Sequence, residues 1–211
     1  MPPKPKTPEQ IEQARTRILD SALNITAKQG YDALSMRKIA TQSGMSATNI
    51  YNYFHNKDEV YLSMLGKGFQ LLYEETSKAI RLGQNAKERF EQAIKTYVDF
   101  GLEKTHYYEI MFSSHTPKYL DYLGLPSEES AYKTKIISFK WFDCFTECVS
   151  EVLPDDQKNK DIRIVVFRIM AQIQGTINIY HNKLIKQAYD NPIDIVNETV
   201  EHVMEEMGIY K

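Results

Sequence analysis

Along almost the whole chain, apolar residues return at intervals of three and four, the spacing that lines up side chains on one face of an α-helix. The runs are separated by single glycines and prolines, and the hairpin dipeptides Asn-Gly and Asp-Gly do not occur. The expected fold class is therefore all-α, with about nine helices.

The N-terminal third carries the densest punctuation. Thr7-Pro8-Glu9-Gln10 reads as a capping box with Pro at the first helical position. Ile11, Ala14, Ile18, Ala22 and Ile25 then trace one face, and Gly30 stops the helix. Ser35 opens a second helix, with Leu34 and Ile39 as a hydrophobic staple, and Gly44 closes it. Ser46 opens a third, where Met45 and Ile50 repeat the staple. Asn56 and Glu59 form the capping box of a fourth helix that runs to about Leu82. Later helices are expected near 86–104, 105–115, 118–123, 128–153, 156–184 and 192–207. Pro117, Pro126 and Pro154 fall in the gaps, and Asn191, Pro192 and Gly208 bound the last helix.

Two short helices joined by a glycine turn invite a helical wheel. With Ile50 pointing inward, Phe54 joins it, while Thr48 and Asn52 fall on the opposite side, at roughly 160° and 200°. Asn49, Tyr51 and Tyr53 flank them, and no acidic residue interrupts this face. Such side chains can meet base edges, phosphates and thymine methyl groups. Arg37 and Lys57 stand at its edges, where phosphates would pass. The pattern fits a helix-turn-helix; on geometry alone, a surface helical hairpin with a polar outside fits as well.

Charge bears on the choice. Residues 1–57 hold eight Lys/Arg against four Asp/Glu, within a chain of net charge −2. A basic head on an acidic body suits a protein that shows one end to DNA. No stretch is apolar enough to span a bilayer, and MPPKPKTPEQ lacks the apolar run of a secretory signal, so the expected location is the cytoplasm with no membrane partner. Cys144 and Cys148 read as small buried hydrophobes rather than a disulfide or metal pair. No phosphate loop, His-Glu-x-x-His or Gly-x-Ser-x-Gly is present, so neither an enzyme nor a cofactor or metal site is expected.

The segment Leu34–Leu65, LSMRKIATQSGMSATNIYNYFHNKDEVYLSML, resembles the N-terminal signature of the TetR family of bacterial transcriptional regulators. The resemblance rests on Ser35, Arg37, Ile39-Ala40, Gly44, Ser46, Ile50-Tyr51, Tyr53-Phe54 and Lys57-Asp58 taken together. It implies a three-helix DNA-binding head over residues 9–66, with its motif at 35–54, and a ligand-binding and dimerisation body over 67–211. It also implies that Ala47, Thr48, Asn49 and Asn52 contact bases, and that Arg37, Tyr51, Tyr53 and Lys57 contact phosphates. The implied partners are a palindromic double-stranded operator, a second copy of the chain, and a small-molecule effector that tilts the fourth helix.

In the body, Ile193, Val196, Val200, Val203 and Met207 repeat at 3-4-3-4, a seam suited to helix pairing across a homodimer. Ile162, Val166, Ile169, Ile173, Ile177 and Tyr180 form a second stripe, and either stripe can equally be spent inside one chain. Aromatics crowd the middle of the sequence. By the resemblance, an effector pocket beneath the fourth helix would draw on Phe69, Tyr73, Tyr97, Phe100, Tyr107, Phe112, Trp141 and Phe167, and aromatic walls suit an apolar or aromatic occupant. The expected function is a DNA-binding transcriptional regulator, a repressor released by such an effector. Control by a protein partner, or an enzyme keeping a vestigial helix-turn-helix, are the alternatives.

Overall fold

A computed structural model describes residues 6–113 and 115–210, so of the basic tail only Lys6 falls within the described residues. All regular structure among them is helical. In chain order the helices are α1 (Pro8–Gln29), α2 (Met36–Ser43), α3 (Ala47–Tyr51), α4 (Lys57–Ile80), α5 (Ala86–Glu103), α6 (Thr105–Phe112), α7 (Glu128–Val152), α8 (Ile162–His181), α9 (Leu184–Ala188) and α10 (Pro192–Glu206). Short 3-10 turns lie at Tyr31–Ala33, Tyr119–Tyr122 and Asp155–Gln157.

The chain divides into two compact units. One comprises Met1–Phe69 and His106–Ser138, the other Gln70–Thr105 and Phe139–Lys211. The first boundary falls close to the expected end of the head at residue 66. Residues 106–138, assigned by the sequence to the body, cluster with the head segment instead.

In the first unit the caps form as the sequence implies. Thr7 accepts from the backbone of Gln10, whose side chain accepts from Thr7 N–H in return. Ser35 and Ser46 cap α2 and α3 by accepting from Lys38 N–H and Asn49 N–H. Asn56 accepts from Glu59 N–H, but the Glu59 carboxylate turns to the backbone N–H of His55, so this capping box is not reciprocal. Ile18, Ala22, Ile25, Leu34, Ile39, Ile50, Phe54 and Val60 build the core, while Ile11 stays outside it. Behind α4, Thr134 donates to the Leu62 carbonyl. At Gly68 a Cβ would stand 2.8 Å from the sulfur of Met111, so the Met111 side chain would have to shift.

In the second unit, α8 packs against α5 and α10. Phe90, Ala93, Ile94 and Tyr97 of α5 meet a core shared with Val165, Val166, Ile169, Ile173 and Ile177 of α8. The helix expected over 156–184 is shorter, mainly at its start. A 3-10 turn precedes α8, Asp161 caps it, and Lys183 in the left-handed region (φ 62°) separates it from α9. The start of α10 also differs in detail: Asn191 donates to the Asp194 carboxylate instead of capping a backbone N–H.

The α10 seam requires a correction. Val196, Val203 and Met207 are buried within the chain, with Val203 at 0% exposure, and Ile193 and Val200 are half-buried. A 3-4 repeat marks a helix that packs on something, and here the something is α8 of the same chain. The open side of α10 is a different set of residues. Gln172, Thr176, Ile195, Glu198, Thr199 and His202 line a shallow groove of about 350 Å³ between α8 and α10.

Candidate nucleic-acid interface

The glycine turn sets the angle between α2 and α3. Gly44 ends α2 at φ 63° and ψ 31°, and its N–H reaches back to Ala40 and Thr41. Only a residue without a Cβ adopts this conformation at low cost, and a Cβ would also sit 2.9 Å from the Arg17 guanidinium. Ile39, Ala40 and Ile50 hold the two helices to the core, leaving the outer side of α3 in solvent.

Most of the expected base contacts lie on that outer side. Ala47, Thr48 and Asn52 are exposed and Asn49 is half-buried. Asn52 caps the end of α3 instead of extending it. Tyr51 is 53% exposed, and Arg37 of α2, expected like Tyr51 to meet phosphate, is exposed as well. Lys57, half-buried at the start of α4, holds its ammonium 4.6 Å from the centre of the Tyr31 ring.

Tyr53 departs from the expectation. Because α3 stops at Tyr51, the chain turns there and Tyr53 no longer follows the helical wheel. It is 9% exposed, and its hydroxyl accepts from the ammonium of Lys6. Three residues that the helical wheel left out thus shape this surface. Lys6 reaches both Tyr53 and the side-chain oxygen of Asn49. Arg15 donates to the Tyr53 carbonyl at 2.9 Å and lies over the Phe54 ring, tying the end of α3 to α1. Arg17 covers Gly44. No spacing rule connects residues of α1, or Lys6 before it, to the end of α3, so only the folded chain reveals them.

Beneath Lys57 lies a tyrosine cluster. Tyr31 donates to the Asp58 carboxylate at 2.5 Å and meets the Tyr61 ring edge-on at 4.8 Å. Tyr61 in turn shares its one hydroxyl proton between the carbonyls of Ile110 and Pro117. Burial, reinforced for Tyr31 by Asp58, pushes both phenols well above the ordinary tyrosine range, so they stay protonated donors. The fixed end of α4 is thereby wired to the end of α6. A separate open groove of about 990 Å³ runs along α1, but Glu9, Glu12 and Asp20 line it. These carboxylates outnumber the guanidinium of Arg17 in the same lining and disfavour phosphate there.

The aromatics expected around an effector fall into two sets. In the first unit, Phe69 meets Phe112 edge-on at 5.9 Å, and Tyr107 presses on Gly68. In the second, Tyr97, Phe100 and Trp141 are buried and Tyr73 is half-buried. Trp141 stacks on Phe145 at 5.3 Å, meets Tyr97 at 4.9 Å and donates its indole N–H to Thr76. Gln174 donates to the Tyr97 hydroxyl at 2.7 Å. Phe167 does not join them: it is 58% exposed and meets the Phe142 ring at 5.2 Å. A stripe that buries Val166 and Ile169 turns Phe167 to the other side of α8.

No helix among the described residues is long and apolar enough to cross a membrane. Residues 18–64 match the family model described as bacterial regulatory proteins, tetR family. Over 81 residues the chain is 33% identical to the HTH-type transcriptional repressor KstR of Mycolicibacterium smegmatis, covering 38% of this chain and 40% of that one. It is 26% identical over 103 residues to the HTH-type transcriptional activator FasR of the same organism, covering 49% and 47%. The chain thus matches less than half the length of either relative. In fold it resembles the transcriptional regulator FadR of Bacillus subtilis, solved in complex with stearoyl-CoA. The TM-score is 0.68 at 22% identity, over 90% of this chain and 98% of that one.

Proposed function

We propose that the chain, whose helix-turn-helix head matches the tetR family of bacterial regulatory proteins, is a transcriptional regulator of that family, a repressor whose hold on DNA is released by a small apolar or aromatic effector. The observation that carries this reading is the outer face of α3. It is exposed and free of carboxylates, and Lys6, Arg37 and Lys57 stand around it. Ala47, Thr48, Asn49 and Asn52 read base edges in the major groove, and Arg37, Tyr51, Lys57 and the Tyr53 hydroxyl meet phosphates.

The protein acts in the cytoplasm as a homodimer on a palindromic operator and performs no catalysis. Its dimer face is the open side of α8 and α10: exposed Ile164 and Phe167, with Ile195, Thr199 and His202. For the effector, the first probe is stearoyl-CoA, whose acyl chain is apolar and with which the FadR of similar fold was solved. Control by a protein partner is the second reading, favoured by the close stacking of Tyr97, Trp141 and Phe145.

Selection from a random duplex pool followed by anisotropy titration tests both halves. A palindromic site should emerge, and stearoyl-CoA should release it. A pool with no enriched sequence defeats the DNA-binding reading, whereas a site that survives saturating acyl-CoA removes only this effector class.

A further inference from the structure

Lys6 lies outside every helix, yet it is placed on the DNA-facing residues of α3. Its ammonium stands 3.3 Å from Oδ1 of Asn49 and 2.5 Å from the Tyr53 hydroxyl, and 4.8 Å from the centre of the Tyr53 ring. An ammonium has donors only, so the Asn49 atom that faces it must be the amide oxygen. The backbone N–H of Asn49 is held by the Ser46 cap, and the contact of Lys6 with its side-chain oxygen sets which way the amide faces.

We propose that Lys6 is a specificity-determining positioning residue: it turns the Asn49 amide so that this side chain offers only donors to DNA. The inference rests on the reading of α3 as the base-reading helix. With Oδ1 committed to a cation, the two N–H groups on Nδ2 face the groove, and any base donor brought to the oxygen would confront the ammonium. The matching edges are those made of acceptors, O6 and N7 of guanine or O4 of thymine. Adenine, which a free asparagine recognises through one donor and one acceptor, is disfavoured. The same contact leaves the Tyr53 hydroxyl proton free, because its oxygen accepts from Lys6; that proton can be donated to a phosphate. One cation thus converts two ambivalent side chains into donors.

The test is duplex selection and competition binding with wild type, Lys6→Met, Lys6→Arg and Asn49→Ala. The base pair read by Asn49 is the one at which Asn49→Ala loses its preference. There, wild type should favour guanine or thymine over adenine on the strand that Asn49 reads, Lys6→Met should shift at least about fivefold toward adenine, and Lys6→Arg, which keeps a donor, should behave as wild type. If Lys6→Met weakens all sequences equally and lowers the salt slope with the preference unchanged, Lys6 is a plain phosphate contact and the proposal is wrong. It is equally overturned if Asn49→Ala changes no preference, in which case other residues of α3 still read DNA. A wild-type protein that selects no sequence would defeat the functional reading itself.

Discussion

Tyr53 shows how strongly the setting of one side chain depends on where a helix stops. Two residues after the last helical position of α3, it moves from the open face to a site shared with Lys6 and Arg15. The cysteines show the opposite case, in which residue type alone is informative. Cys148 is buried, and burial pushes its thiol up to about 11; Cys144 is half-buried, and burial raises it as well. A thiol so raised holds almost no thiolate at pH 8. Native protein treated with iodoacetamide at that pH should leave Cys148 unmodified until denaturant is added, with Cys144 the faster of the two. Stoichiometric labelling of Cys148 in the native state would contradict its burial.

At the scale of elements, the α2–α3 turn depends on one glycine. Gly44→Ala forces a Cβ into the left-handed region and against Arg17, and should lower stability by about 1–2 kcal/mol. A urea titration measures this as a reduced midpoint at unchanged slope; a midpoint equal to wild type would mean that the turn relaxes freely. Tyr61→Phe removes the donor to the Ile110 and Pro117 carbonyls and should cost about 1 kcal/mol in the same assay. Caps and stops such as Thr7, Ser35, Gly44 and Ser46 were legible in the sequence because they act within a few residues. The open face of α3 was legible for the same reason, since Ile50 fixes its own wheel. What packs against a stripe is a tertiary fact, and this is why the α10 seam was assigned to a partner when α8 of the same chain covers it. The end of α8 at His181 lies within three residues of the expected stop at 184, whereas its start at Ile162, capped by Asp161, lies six residues after the expected 156.

For the whole molecule, the two faces of α10 make separate predictions. Val203→Asp places a carboxylate in a fully buried site and should unfold the protein rather than dissociate it. Thr199→Glu, on the open groove, should leave the fold intact and shift light-scattering mass from dimer to monomer. If Val203→Asp stays folded and monomeric, the seam pairs copies after all. The central claim, that α3 reads DNA while its flanks hold phosphate, is tested most directly by titrating Asn52→Ala and Lys57→Ala against operator and scrambled duplex at several salt concentrations. Lys57→Ala should weaken both duplexes about equally and lower the salt slope by roughly one per subunit engaged. Asn52→Ala should keep the wild-type slope and lose about 1–3 kcal/mol only on operator, at the base pair it reads. Two variants that bind operator as tightly as wild type would show that α3 is not the reader.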